Sequence, residues 1–411
     1  MDPFAYLFSL EQFGIKFGLE NITAVVDRLG RPDRAYPTVH VAGTNGKGSV
    51  TAMVDAALRA AGHRSARYTS PHLVDLTERF VVDGRPIGTD ALAQAVADVR
   101  GVVETLRREG TLDVQPTFFE VTTAVALELF RRANVDVAVM EVGLGGRLDA
   151  TNVITPAVTA ITSIGFDHQL YLGSTLEAIA FEKAGIIKNG IPVVVGELDD
   201  GPRAVIERIA SERGAPLIRA SASDVLERFA IGLPGRHQQA NAAVAFNVLR
   251  LLDGQGLRVP SAAVAQGLAR PEWPGRLDVR RLPDGREIML DAAHNPAGAA
   301  ALASYLDASR ASARLPLVFA AMRDKDVDGM YRELLRSVGA LIVTRASNPR
   351  SADPAALADR ARSIAPSLPI TVEPSVPAAL AAAWRLASRI VVAGSIFLLA
   401  DVMRELKLPV Y

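Results

Sequence analysis

A buried-looking strand, a glycine-rich turn and a helix start meet in Thr38-Val39-His40-Val41-Ala42-Gly43-Thr44-Asn45-Gly46-Lys47-Gly48-Ser49. No other stretch restricts the fold as strongly. Before the turn the apolar residues cluster, and after it Val50, Met53, Val54, Ala57, Leu58 and Ala61 recur at helical spacing. Such a turn presents backbone N–H groups to phosphate oxygens, and the helix dipole favours their negative charge. Thr44, Asn45, Gly46 and Gly48 supply the cradle. Lys47 can reach the terminal phosphates, and Ser49 stands where such loops ligate Mg²⁺. The strict G-x-x-x-x-G-K-[ST] pattern is not met, because Gly48 separates Lys47 from Ser49 and Val41 occupies the first glycine position. A nucleoside triphosphate is the expected ligand.

The 411 residues are enough for two domains. Lys plus Arg equals Asp plus Glu at 45 each, so no global field draws the chain to nucleic acid or to an anionic membrane. With no cysteine, disulfides, thiolate metal sites and cysteine nucleophiles are excluded. Met1-Asp2-Pro3-Phe4 lacks the basic start of a signal peptide, and no apolar run reaches the roughly 20 residues of a membrane span. A cytoplasmic enzyme is expected.

Further apolar runs end in polar or glycine-rich turns: Ser65–Thr69, Val135–Val142, Val158–Ile164 and Ile191–Val195. Helical stretches (Leu92–Arg107, Thr122–Arg132, Leu176–Ala184) lie between them. Around Pro271-Glu272-Trp273-Pro274-Gly275-Arg276 the alternation breaks, as at a linker. It resumes with strands at Ile288–Leu290, Leu317–Met322, Ala340–Thr344 and Ile390–Ala393. The expectation is an α/β chain of two domains. Residues 1–270 form an ATP-binding core with a mostly parallel sheet, and 276–411 a smaller Rossmann-like domain facing it across a cleft.

Glu141 closes its strand on the same sheet edge as the phosphate turn, where a carboxylate would meet a phosphate-bound Mg²⁺. His168 follows the next strand, and Ser70 another; both can serve the ligand edge or only the fold. Lys183, near a helix end capped by Gly185, has no distinct role on spacing alone. Thr117-Phe118-Phe119-Glu120 reads equally as a pocket or as a first-turn acid beside core aromatics. Asp291 and His294 share one strand-to-helix corner, Asp324-Lys325-Asp326 makes a charged turn, and Arg276 stands where it can swing into a cleft.

Together these segments resemble folylpolyglutamate synthase, whose bacterial form is often also a dihydrofolate synthase, within the Mur ligase superfamily. The likeness rests on 43–49, Tyr68-Thr69-Ser70-Pro71-His72-Leu73, 141–152 (with Gly143-Leu144-Gly145-Gly146-Arg147) and Glu182-Lys183-Ala184-Gly185-Ile186. It continues through Leu233-Pro234-Gly235-Arg236-His237-Gln238, 273–277 and Leu290-Asp291-Ala292-Ala293-His294-Asn295-Pro296, in order along nearly the whole chain.

The resemblance implies a ligase in which ATP phosphorylates an acceptor carboxylate and the amine of L-glutamate attacks the acyl phosphate. It implies that Ser49, Ser70, Glu141 and His168 hold two Mg²⁺ ions, that Lys183 is carbamylated, and that Lys47 lies on the phosphates. Asn241, Arg276, Asp291 and His294 then complete the nucleotide site, and Thr117, Phe118, Phe119, Glu120, Arg147 and Asp149 line the pterin-side pocket. Lys47, Lys183, His168 and Glu141 are the expected catalytic group, and the substrates are a folate or dihydropteroate, L-glutamate and ATP. A monomer is expected, with neither nucleic acid nor membrane as partner. Ala292 replaces the usual glycine of its corner, and Phe397 a usual tyrosine. A Mur ligase acting on a UDP-linked precursor would need a uridine-nucleotide domain, for which the stretch before residue 38 leaves little room. A nucleotide switch has no use for a second metal site, and a bare triphosphatase would turn over ATP without folate or glutamate.

Overall fold

The computed structural model describes residues 2–14, 16–309 and 314–410. The chain divides into two compact units: unit 1 comprises residues 1–164, 169–232 and 239–271, and unit 2 comprises 165–168, 233–238 and 272–411.

Among the described residues, unit 1 is built on eight strands: β1 (Thr38–Ala42), β2 (Ser65–Tyr68), β3 (Phe80–Val82), β4 (Arg85–Pro86), β5 (Val137–Glu141), β6 (Val158–Ile161), β7 (Val193–Val195) and β8 (Leu217–Arg219). Their order is β4-β3-β2-β5-β1-β6-β7-β8, parallel from β2 to β8, with β3 and β4 antiparallel at one edge. Central β1 and β5 are buried along their whole length, as strands covered by helices on both faces must be. The β3–β4 hairpin turns through Asp83 and Gly84, both at positive φ, the two-residue turn that an Asp-Gly pair favours. One apolar cluster gathers Ile22, Tyr68, Phe80, Val99 and Phe130; another gathers Ile161, Ile187, Val193 and Ile206.

Among the described residues, unit 2 has six strands: β9 (Asp278–Arg281), β10 (Glu287–Leu290), β11 (Pro316–Phe319), β12 (Ala340–Val343), β13 (Ile370–Val372) and β14 (Arg389–Ala393). They lie in the order β13-β12-β11-β14-β10-β9, with β9 alone antiparallel. Phe319 and Tyr331, ring centroids 5.0 Å apart, anchor its core with Leu302, Leu341 and Val391. Edge strands β4, β8, β9 and β13, and β3 beside β4, do not stand out in the apolar pattern, because they are short or half exposed. Among the described residues, no helix is long and apolar enough to cross a membrane.

Candidate active site

In unit 1 the sequence reverses its winding direction at β1, and the glycine-rich turn leaves the sheet there. Ligands of α/β sheets bind at such points. Gly43 and Gly46 take φ of 149° and 87°. The turn is tied down from β6: Thr44 N donates to the Ser163 carbonyl (2.8 Å), and Asn45 N to Ser163 Oγ (3.0 Å). Thr162 Oγ1 donates to the Asn45 carbonyl at 2.6 Å. A side chain at Gly46 would run into Asn241, so that amide lies against the turn. Helix Lys47–Ala60 begins at Gly46 with no side-chain cap and no acid in its first turn. Its leading N–H groups are left for an anion.

Two ammonium groups close on this turn. Lys47 Nζ donates to the carbonyls of Gly43 (3.0 Å) and Thr44 (3.2 Å), and Lys183 Nζ, on a buried side chain, to the Gly43 carbonyl (3.0 Å). Glu141, the last residue of β5, is in register with Val41 of β1 and buried. Its Oε2 accepts from Ser70 N at 3.3 Å, so the ends of β2 and β5 meet beside the turn. Ser49 is buried in the first helical turn.

Among the described residues, no three His, Asp or Glu side chains converge as a metal cage. Mg²⁺ does not need one: it binds through one or two carboxylates, water and substrate phosphate. A carboxylate at the end of β5 (Glu141), with the hydroxyls of Ser70 after β2 and of Ser49 in the first helical turn, is the kind of hard-oxygen set that would fit it.

On the neighbouring flank, Thr117 and Glu120 form a capping box that starts helix Phe118–Arg132, earlier than the apolar pattern suggests. Glu120 Oε2 accepts from Thr117 N at 2.7 Å, whereas its buried Oε1 has no hydrogen-bond partner. Phe118 stacks on Phe8 (centroids 6.2 Å) under the Arg79 guanidinium (5.2 Å). Phe119 lies 6.0 Å from Tyr68, and a side chain at Gly143 would strike its ring. Arg147 pairs with Glu182 (2.8 Å) over the Phe181 ring. Asp149 is buried and accepts from Leu144 N (2.8 Å) and from Thr151. Burial pushes its carboxyl upward against these hydrogen bonds.

Unit 2 presents Arg276, Asp291, His294 and also His168. Asp291 accepts from Leu277 N (2.8 Å) and Ala293 N (2.9 Å), which fixes the Arg276 backbone beside it. Burial raises the Asp291 carboxyl, and the Arg276 charge opposes the rise. His294 Nδ1 donates to the Ala292 carbonyl at 2.8 Å and its Nε2 lies 3.3 Å from Asp167 Oδ2. His168 takes φ 53° and its Nε2 stands 3.5 Å from Lys325 Nζ. Burial alone would raise Asp167, but the His294 hydrogen bond and the charges of His294, Lys325 and His168 hold it far below the usual carboxylate range. Lys325 reads in the sequence only as part of a charged turn and Asp167 does not stand out, since their meeting depends on corners far apart in the chain.

Residues 88–227 match the Mur ligase middle domain, and 275–396 the Mur ligase glutamate ligase domain. The chain is 36% identical to the dihydrofolate synthase/folylpolyglutamate synthase of Bacillus subtilis, over 79% of this chain and 80% of that one. Among solved structures, Escherichia coli FolC in complex with DHPP and ADP superposes with TM-score 0.88 at 33% identity, over 99% of this chain and 98% of that one. A Yersinia pestis folylpolyglutamate synthase/dihydrofolate synthase complexed with AMPPNP and Mn superposes with TM-score 0.86, also at 33% identity, over 99% and 98% of the two chains.

Proposed function

The chain belongs to the folylpolyglutamate synthase/dihydrofolate synthase group of Mur ligases, and from that membership we propose how its residues carry out the reaction. It is an ATP-dependent ligase that joins L-glutamate to a folate.

A carboxylate is a poor electrophile and its oxygen a poor leaving group. ATP therefore phosphorylates the acceptor carboxylate, and the glutamate amine attacks the resulting acyl phosphate. A tetrahedral intermediate forms and collapses, and phosphate departs. Two anions must be held in contact, so the site requires cations more than it requires a general base.

The observation that carries this assignment is the pair of ammonium groups, Lys47 and Lys183, on the Gly43 carbonyl of an uncapped phosphate turn. Lys47 swings from the carbonyls onto the phosphates when ATP enters. Ser49, Ser70, Glu141 and His168, with Lys183 as a carbamate, would hold two Mg²⁺ ions, which when bound would supply charge neutralisation at the phosphates and polarisation of the reacting oxygens. Carbamylation removes one of two like charges that share an acceptor and puts a carboxylate in its place. Asn241, Arg276, Asp291 and His294 serve the nucleotide. Phe118 and Phe119 offer faces to the pterin, Thr117, Arg147 and Asp149 line the same flank, and the unpartnered Glu120 Oε1 is an acceptor for a ring N–H. The enzyme acts as a cytoplasmic monomer.

The test is phosphate release from ATP with Mg²⁺ and glutamate, with dihydropteroate or a reduced folate as acceptor. Release with both marks a bifunctional enzyme, and release with the folate alone marks chain extension only. Equal release without any acceptor refutes the assignment.

A further inference from the structure

Lys183 sits in the last turn of helix Leu176–Ala184, and one loop grips the backbone on both sides of it. Arg147 N donates to the Glu182 carbonyl at 2.8 Å. Asn152 Nδ2 donates to the Arg147 carbonyl at 2.9 Å and to the Gly185 carbonyl at 3.2 Å. The two segments approach closely enough to require glycine on each. A Cβ at Gly146 would stand 2.9 Å from the Lys183 carbonyl oxygen, and one at Gly185 would run into Arg147. Asn152 is itself fixed in the short turn Ala150–Val153: its N donates to the Asp149 carbonyl (2.8 Å), and its carbonyl accepts from Lys188 Nζ (2.9 Å). All of these residues belong to unit 1, as does Gly43, whose carbonyl accepts from Lys183 Nζ.

Asn152 is buried and both partners of its side chain are acceptors, so the amide must turn its NH2 to them. That leaves Oδ1 buried with no hydrogen-bond partner. The cost of an unpaired buried acceptor offsets much of what the two hydrogen bonds return. What the amide adds is a fixed distance between the loop and the helix end. A lysine head on a flexible four-carbon stem is aimed only as well as its backbone is held.

We propose that Asn152 is the positioning residue of Lys183: by stapling Arg147 to Gly185 it holds the Lys183 head at the Gly43 carbonyl, where the carbamate forms. The proposal rests on the ligase assignment above, its carbamate included, and adds a residue outside the expected site. In carbamate formation the neutral Lys183 amine gives its lone pair to the carbon of CO2. The N–C bond forms as one C–O π pair moves onto oxygen, and a proton leaves the nitrogen for water. A displaced amine would form its carbamate away from the Lys47 charge that stabilises it, so occupancy would fall.

The test compares wild type with Asn152→Asp, Asn152→Ala, Lys183→Ala and the double variant Asn152→Asp/Lys183→Ala. Asn152→Asp keeps the shape and removes the donor; Asn152→Ala serves if the carboxylate unfolds the loop. Each protein is titrated with isotope-labelled bicarbonate, and the carbamate carbon is followed by NMR. Formation of the glutamyl product, ADP affinity and thermal midpoints are measured alongside. In both Asn152 variants half-saturation by bicarbonate should rise about tenfold, and kcat should fall about tenfold and recover as bicarbonate is added, with ADP affinity within about threefold. The double variant should be no slower than Lys183→Ala, because Asn152 acts through Lys183. An unshifted bicarbonate dependence, a wild-type kcat, an additive double variant, or a loss matched by a fallen thermal midpoint and weaker ADP binding overturns this proposal alone. A wild type with no carbamate signal overturns the carbamate and this proposal with it.

Discussion

The ammonium groups of Lys47 and Lys183 share one acceptor, the carbonyl oxygen of Gly43, each at 3.0 Å. They cannot lie farther apart than twice that distance, and like charges so close favour any chemistry that removes one of them. Carbamylation of Lys183 does so. Lys183→Ala should lower ATP-dependent ligation by about 100-fold or more, the scale of losing a preorganised charge in a closed site. Thermal unfolding should be little changed. Removing CO2 from the buffer should slow the wild type reversibly and leave the residual rate of Lys183→Ala untouched. Activity indifferent to both changes would exclude the carbamate.

Glu141 ends β5 beside Ser70, whose N–H it accepts at 3.3 Å. Glu141→Gln preserves that hydrogen bond and removes the charge, so it isolates the metal role from the fold. Turnover should fall about 100-fold, or ~3 kcal/mol of barrier, and half-saturation by Mg²⁺ should move upward. A magnesium titration of phosphate release checks both, and an unshifted curve at a wild-type rate would remove Glu141 from the metal site.

Legibility in the sequence followed range. The phosphate turn and Glu141 can be read locally, because each ends a strand whose apolar run is visible along the chain. The T-x-x-E signature of Thr117 and Glu120 is also local, yet the two aromatics after Thr117 hide the helix start behind the look of a pocket. Lys183 looks like any lysine near a helix end until the fold brings Gly43 to it. Asp167 is the extreme case, since its partners come from corners more than 120 residues away. Phe8 and Arg79, which both pack against the Phe118 ring, carry no signal of their own.

Arg276 sits on backbone pinned by Asp291, while among the described residues its Nη1 donates to the Gly275 carbonyl, at 3.0 Å. Its guanidinium is therefore not spent on holding the fold. Arg276→Ala should raise KM for ATP about tenfold, ~1.4 kcal/mol of binding, and leave the unfolding midpoint within a degree or two. Initial rates against ATP concentration decide it. An unchanged KM and kcat would take Arg276 out of the nucleotide site.

The buried histidines give the protein an acid-side stability limit whose sign can be worked out. His40 is wholly buried; its Nε2 lies 2.9 Å from Thr151 Oγ1 and its Nδ1 has no partner. Burial, with Lys188 nearby, lowers it to about 3, and burial with the Arg276 charge lowers His237 to about 4. In the unfolded chain both titrate near ~6.5. Between that value and the folded ones the unfolded chain binds protons that the folded chain refuses. Stability is therefore complete above ~6.5 and lost as pH falls, by up to ~1.4 kcal/mol per pH unit per histidine. From pH 7 to pH 5 each should cost about 2 kcal/mol. Urea unfolding at the two pH values measures the loss, and His40→Asn, which cannot take up a proton, should recover about half of it. Equal losses in wild type and variant would mean that His40 is protonated in the folded protein.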